Sequence, residues 1–129
     1  MNDSGMSNSF SITSEGALFE FKDGGWLAVA KNGAIAQFEK VPAAFFPLLE
    51  FSTKELIQSY PDSQKFPWKD LMDQAAASPS AYWQNLSLDR IDEMEMVVIC
   101  ATAVKDLADK GLTQSVRHKA QRLANQAKI

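Results

Sequence analysis

At 129 residues, with 46% hydrophobic and 22% charged side chains, the chain has the length of one domain and is too apolar for a disordered polymer. Its net charge of -3 is divided unevenly, since residues 1–109 sum to -8 and residues 110–129 to +5. One cysteine and one histidine exclude an intramolecular disulfide and leave the usual nitrogen and sulfur ligand sets for a metal incomplete.

Residues 1–14 are rich in Ser, Asn and Gly and read as a flexible leader, within which 9–13 could add an edge strand. Residues 15–129 are read as a single α+β domain. Its expected architecture is an N-terminal antiparallel meander of three or four strands packed against four to five C-terminal helices. The polar start carries neither a basic flank nor an apolar segment, and no apolar run approaches the ~20 residues of a membrane span. A cytoplasmic location without a membrane partner is the expectation.

The meander is read from segments 17–22, 26–31 and 34–40, separated by Asp23-Gly24-Gly25 and Asn32-Gly33. Asn32-Gly33 predicts a two-residue turn, because both residues tolerate positive φ, and it sets Val29 opposite Ala36 and Leu27 opposite Phe38. A three-residue first loop then brings Phe19 and Phe21 onto the same face. The expected inner face is Ala17, Phe19, Phe21, Leu27, Val29, Ala36 and Phe38. Trp26 is expected on the outer face beside Leu18 and Ile35, either covered by other parts of the chain or exposed as a partner-binding patch.

Residues 42–51, with Phe45, Phe46 and Phe51 around Pro47, are expected to form a buried connection that cannot be one continuous helix. Ser52 and Glu55 form a capping box that starts a short helix ending at Pro61. Pro67 suits the first position of a second helix, with Trp68, Leu71, Met72, Ala75 and Ala76 on one face. A third helix is expected over 79–86, with Tyr82, Trp83 and Leu86 on its apolar side. A long central helix is expected near 89–110. Asp89, Asp92, Glu93 and Glu95 would load its first turns, Gly111 would cap it in the left-handed region, and its stretch 96–104, which contains Cys100, would be enclosed by protein. A last helix over 113–127 carries Val116, Ala120, Leu123, Ala124 and Ala127 on one face, and Arg117, His118, Lys119, Arg122 and Lys128 mostly off it.

These residues spell out no catalytic constellation. His118 is the only base available to a serine or cysteine nucleophile, and it stands among Arg117, Lys119 and Arg122 with no acid nearby in sequence to orient it. The acids 89–95 could serve carboxylate chemistry, but a helix N-terminus explains them without it. Gly24, Gly25 and Gly33 fit no phosphate-binding spacing. No cofactor, metal site or catalytic residue is therefore expected.

In class, a small, acidic, cysteine-poor α+β chain resembles the bacterial immunity proteins that neutralise basic toxins, although no motif carries the resemblance. It implies a protein that binds another protein. The functional expectation is a non-enzymatic interaction or regulatory module with an unknown protein partner, which would engage Leu18, Trp26, Ile35, Trp68, Tyr82 or Trp83. The alternatives are a nucleic-acid binder using Arg117, Lys119 and Arg122 on the basic C-terminal helix, and, less favoured, a carboxylate-dependent enzyme.

Overall fold

The computed structural model describes residues 10–12, 17–22 and 25–129. Strands β1 (Phe10–Ile12), β2 (Ala17–Lys22), β3 (Gly25–Val29) and β4 (Ile35–Gln37) pair antiparallel in chain order. Strand β1 lies on the stretch expected as an edge strand; the remainder of the leader falls outside the described residues.

Both hairpins depart by one residue from the expected register. Lys22 pairs with Gly25, so the first loop has two residues rather than three, and Val29 pairs with Ile35, so residues 30–34 form a longer second loop. In that loop Gly33 has φ +91°, the Ala34 N–H donates to Asn32 Oδ1 at 2.9 Å, and the Ala30 N–H donates to the Ala34 carbonyl at 2.8 Å. Asn32 and Gly33 thus make the reversal they favour inside a wider loop, instead of a tight two-residue turn.

A slip of one residue exchanges the faces of a strand. Trp26 and Ala28 therefore join Phe19 and Phe38 in the core, and Leu27 and Val29 turn outward beside Leu18. The physical preference is clear in β3, where either phase is apolar but only one buries the large indole.

Under the sheet lies an aromatic cluster. Phe45 stands 5.4 Å from Phe19, 5.2 Å from Phe38 and 5.6 Å from Phe66, measured between ring centroids. Phe66 in turn meets Trp26 at 5.3 Å and Trp68 at 4.9 Å. Rings from the sheet, the connection and the helical part so share one core, mostly in the tilted or edge-on geometry that aromatic pairs favour.

The connection after the sheet is a 3₁₀ helix, Pro42–Glu50, which buries Phe45, Phe46, Leu48 and Leu49. The connection is buried as expected, but Pro47 was expected to forbid a continuous helix, and the 3₁₀ helix runs through it. The short i to i+3 pattern lets the chain coil past Pro47, which has no N–H to donate. Helix α1 (Thr53–Ser59) follows with Ser52 as cap, its Oγ accepting from the Glu55 N–H at 3.3 Å. A second 3₁₀ segment, Pro61–Lys65, leads to α2 (Trp68–Ala76), whose predicted face Trp68, Leu71, Met72, Ala75 and Ala76 is buried throughout.

Helix α3 (Ala81–Glu93) extends well beyond the expected end at Leu86, and the long central helix does not form. The acids 89–93 close α3 instead of opening a new helix. The chain stops there in a Schellman motif, with the Met96 N–H donating to the Ile91 carbonyl at 2.9 Å and the Glu95 N–H to Asp92 at 3.1 Å. Glu95 holds the left-handed position, φ +55°. Residues 97–100 then turn into α4 (Ala101–Lys110), and Val98 and Ile99 are exposed rather than enclosed.

Helix α4 packs on α5 (Gln114–Ala127), which is capped by Thr113 and buries Val116, Ala120, Leu123 and Ala124. Gly111, between them, has φ -53° and is no left-handed cap. A Cβ there would lie 2.7 Å from the Leu107 carbonyl oxygen and 2.8 Å from Val116 Cγ1, so glycine serves the close approach of the two helices. Among the described residues no helix is long and apolar enough to cross a membrane.

Candidate functional site

The face of the sheet turned away from the aromatic cluster is the first candidate. Leu18, Val29 and Ile35 stand opposite one another across β2, β3 and β4, with Leu27 in the neighbouring row between Glu20 and Gln37. Leu18, Leu27 and Val29 are half-buried, Ile35 is 65% exposed, and none of the four packs against the core. A sheet with one solvated face ordinarily alternates apolar with polar side chains, whereas β3 is apolar in both phases. Of the expected patch Leu18 and Ile35 remain on this face. Trp26 does not, since it is 7% exposed and meets Phe66 inside.

The other aromatic candidates separate. Trp68 is buried and its Nε1–H donates to the Ser63 carbonyl at 2.8 Å, so it belongs to the core. Tyr82, expected on an apolar side, is 54% exposed, and its hydroxyl donates to the Glu50 carboxylate. It lies edge-on to half-buried Trp83, which packs on Phe46 at 5.5 Å. Helix α3 spends its core face on Gln84, Ser87, Leu88 and Ile91, which rotates Tyr82 outward.

Two of the three basic candidates on α5 are engaged within the chain. Arg117 Nη1 donates to the Gly111 carbonyl at 2.7 Å, answering the end of α4, and Lys119 Nζ lies 2.7 Å from Asp89 Oδ1 on α3. Arg122 is exposed, as is His118. Arg117 and Lys119 thus answer a helix end and an acidic neighbour within the chain.

Asp89 and Glu93, two of the α3 carboxylates, are likewise engaged within the chain. Glu93 accepts from Ser52 Oγ and from the Thr53 N–H at 2.9 Å, which ties the start of α1 to the end of α3. Desolvation pushes this carboxyl upward, but the two hydrogen bonds and the Arg90 charge outweigh it and hold the group below the usual carboxylate range. Among the described residues no three of His, Cys, Asp and Glu come together as a metal cage.

Between α2 and α4 a cleft of about 270 Å³ reaches the Cys100 thiol, with Asp73 and Asp106 among its walls. Lys69 pairs with Asp73 at 2.6 Å on its rim. Burial, and then the Asp73 charge, push the thiol up to about 11, so it is a poor nucleophile at neutral pH.

No family model, curated protein or solved structure matches this chain. The surfaces therefore speak through their own chemistry. Sequence reasoning missed Leu27 and Val29 because β3 offers two apolar faces, and periodicity cannot choose between them. It also missed Gln84, whose buried amide donates to the Ser78 carbonyl and accepts from the Leu112 N–H, each at 3.0 Å.

Proposed function

We propose that the protein is a non-enzymatic interaction module that docks a protein partner on the outer face of its sheet. The observation that carries this reading is the cross-strand row Leu18, Val29 and Ile35, with Leu27 beside it, left outside the core of a sheet covered on its other face. A partner laid on that row would supply a second layer that the described residues do not, and would remove apolar surface from water, worth about 25 cal/mol per Å² before the costs of association. The engagement of Arg117, Lys119 and Glu93 in packing makes the nucleic-acid and carboxylate-enzyme alternatives less attractive. The single buried cysteine is in keeping with a reducing cytoplasm, which forms part of the proposal.

A photo-crosslinking residue placed at Ile35 in the producing cell tests it. The expected result is a discrete protein adduct that disappears when Val29→Lys is added. Equal adducts from a crosslinker at His118, adducts removed by nuclease, or no protein adduct at all would each reject the sheet face.

A further inference from the structure

A second surface stands on the helix side of the sheet, where the end of the meander approaches the start of α2. A cleft of about 350 Å³ opens there over small exposed parts of Trp26 and Phe38, with Pro42 and Pro67 as walls. Its rim carries three polar side chains, Glu39, Asp70 and Gln74, all exposed. The size matches the low end of ligand pockets, ~300–1,000 Å³, and so suits one long side chain rather than a docked helix.

Among the described residues that line this cleft the charged side chains are both acidic. Asp73, Asp89 and Glu93 each have a cationic partner, whereas Glu39 and Asp70 have no ion pair within 4.0 Å among the described residues, Asp70 feeling only the more distant charge of Lys69, which pairs with Asp73. The dipole of α2 accounts for an acid at Asp70 in its first turn. It does not account for Glu39, which comes from the turn after β4 and lines the same cleft.

We propose that this cleft receives the side chain of an arginine carried by a basic segment of a partner protein. An arginine is apolar along its stem and planar and cationic at its head. The stem would lie along Pro42 and Pro67 while the guanidinium donates to the Glu39 and Asp70 carboxylates, with the Gln74 amide oxygen as a further acceptor. Such charge-assisted bonds are about twice as strong as neutral ones and reward the forked donor geometry. The acidic balance of residues 1–109, -8, would favour encounter with a basic segment. The inference goes beyond the sheet-face reading and stands without it.

The test is a titration of the full ¹⁵N-labelled chain with an amidated peptide of alternating alanine and arginine, followed by NMR. Saturable shifts are expected at Gly25, at the Trp26 indole N–H and at Gln74. Replacing arginine by citrulline, its neutral isostere, should weaken binding about tenfold or more, and so should the double variant Glu39→Gln/Asp70→Asn. Both sites are exposed, so the variant keeps its fold, which an unchanged far-ultraviolet spectrum verifies. A control variant, Glu55→Gln/Asp106→Asn, removes the same charge elsewhere and should leave affinity within about twofold. Equal losses in the two variants, shifts spread over other acids, the same shifts produced by calcium chloride, or no saturable binding would each overturn the proposal.

Discussion

Lys119 Nζ lies 2.7 Å from Asp89 Oδ1 and joins the last helix to α3. Asp89 is 41% exposed, so solvent and salt screen the pair, and such contacts are worth only about 0.2–1 kcal/mol. We expect Asp89→Asn to lower unfolding free energy by about 0.5 kcal/mol in low salt and by less in 1 M salt, measured by denaturant titration. A loss above about 2 kcal/mol would mean that the pair anchors the helix rather than trimming its surface.

Register decides the fate of Trp26. With the observed pairing its indole is in the core against Phe66, so Trp26→Ala should cost about 3–5 kcal/mol, a large share of the stability of a domain this size. Ile35→Lys, on the open face, should stay within about 0.5 kcal/mol. Near-equal effects in thermal unfolding would restore the alternative register, in which Trp26 faces outward.

How far the sequence could be read depended on whether one signal acted alone. Ser52 with Glu55, and Pro67 before a regular apolar face, each had one physical reading, and α1 and α2 formed as expected. In β3 two apolar phases competed, and long-range packing of Trp26 on Phe66 chose between them. Near residue 95 the sequence has no glycine or proline to mark a break, only Glu95 forced into positive φ between Ile91 and Met96. That stop is made by tertiary packing of Met96 and Ile91, which local propensity does not report. The sheet-face row was legible only in part, through Leu18 and Ile35. The cleft beside Pro67 was not legible at all, because Glu39 and Asp70 are far apart in sequence.

The same stop offers a stabilising change. A residue with a side chain in the left-handed region costs about 1 kcal/mol relative to glycine. Glu95 is exposed and has no ion pair among the described residues, so Glu95→Gly removes that cost while losing little. We expect a gain of about 0.5–1 kcal/mol, seen as a raised Tm. A loss would show that this turn is not held at positive φ.

Glu93 should make stability depend on pH. Its folded pKa is lowered from the ordinary 4.5 by Ser52, Thr53 and Arg90 against the opposing pull of burial. The ionised form is therefore favoured by folding. Its contribution is complete above the ordinary value and fades as pH falls through the lowered folded one. Glu93→Gln should cost about 1 kcal/mol at pH 7 and progressively less as pH drops below 4.5, when denaturation is followed across that range. A difference that does not change with pH would place the effect in packing and not in the carboxylate.

Cys100 supplies a probe of the cleft between α2 and α4. The thiol is buried and its pKa is raised to about 11, first by burial and then by the nearby Asp73 charge. At pH 8 only about one thiol in a thousand is ionised in the folded state, and it is shielded as well. Reaction with a disulfide reagent should thus be slower than for an unfolded-chain cysteine by at least about a hundredfold, rising with denaturant as the helices part. Ala103 lines the cleft at this sulfur together with Ala76, Asp73 and Lys69, so an Ala103→Gly change should widen the path and speed labelling under native conditions. Wild-type labelling as fast as that of the unfolded chain would mean that the two helices separate in the native state.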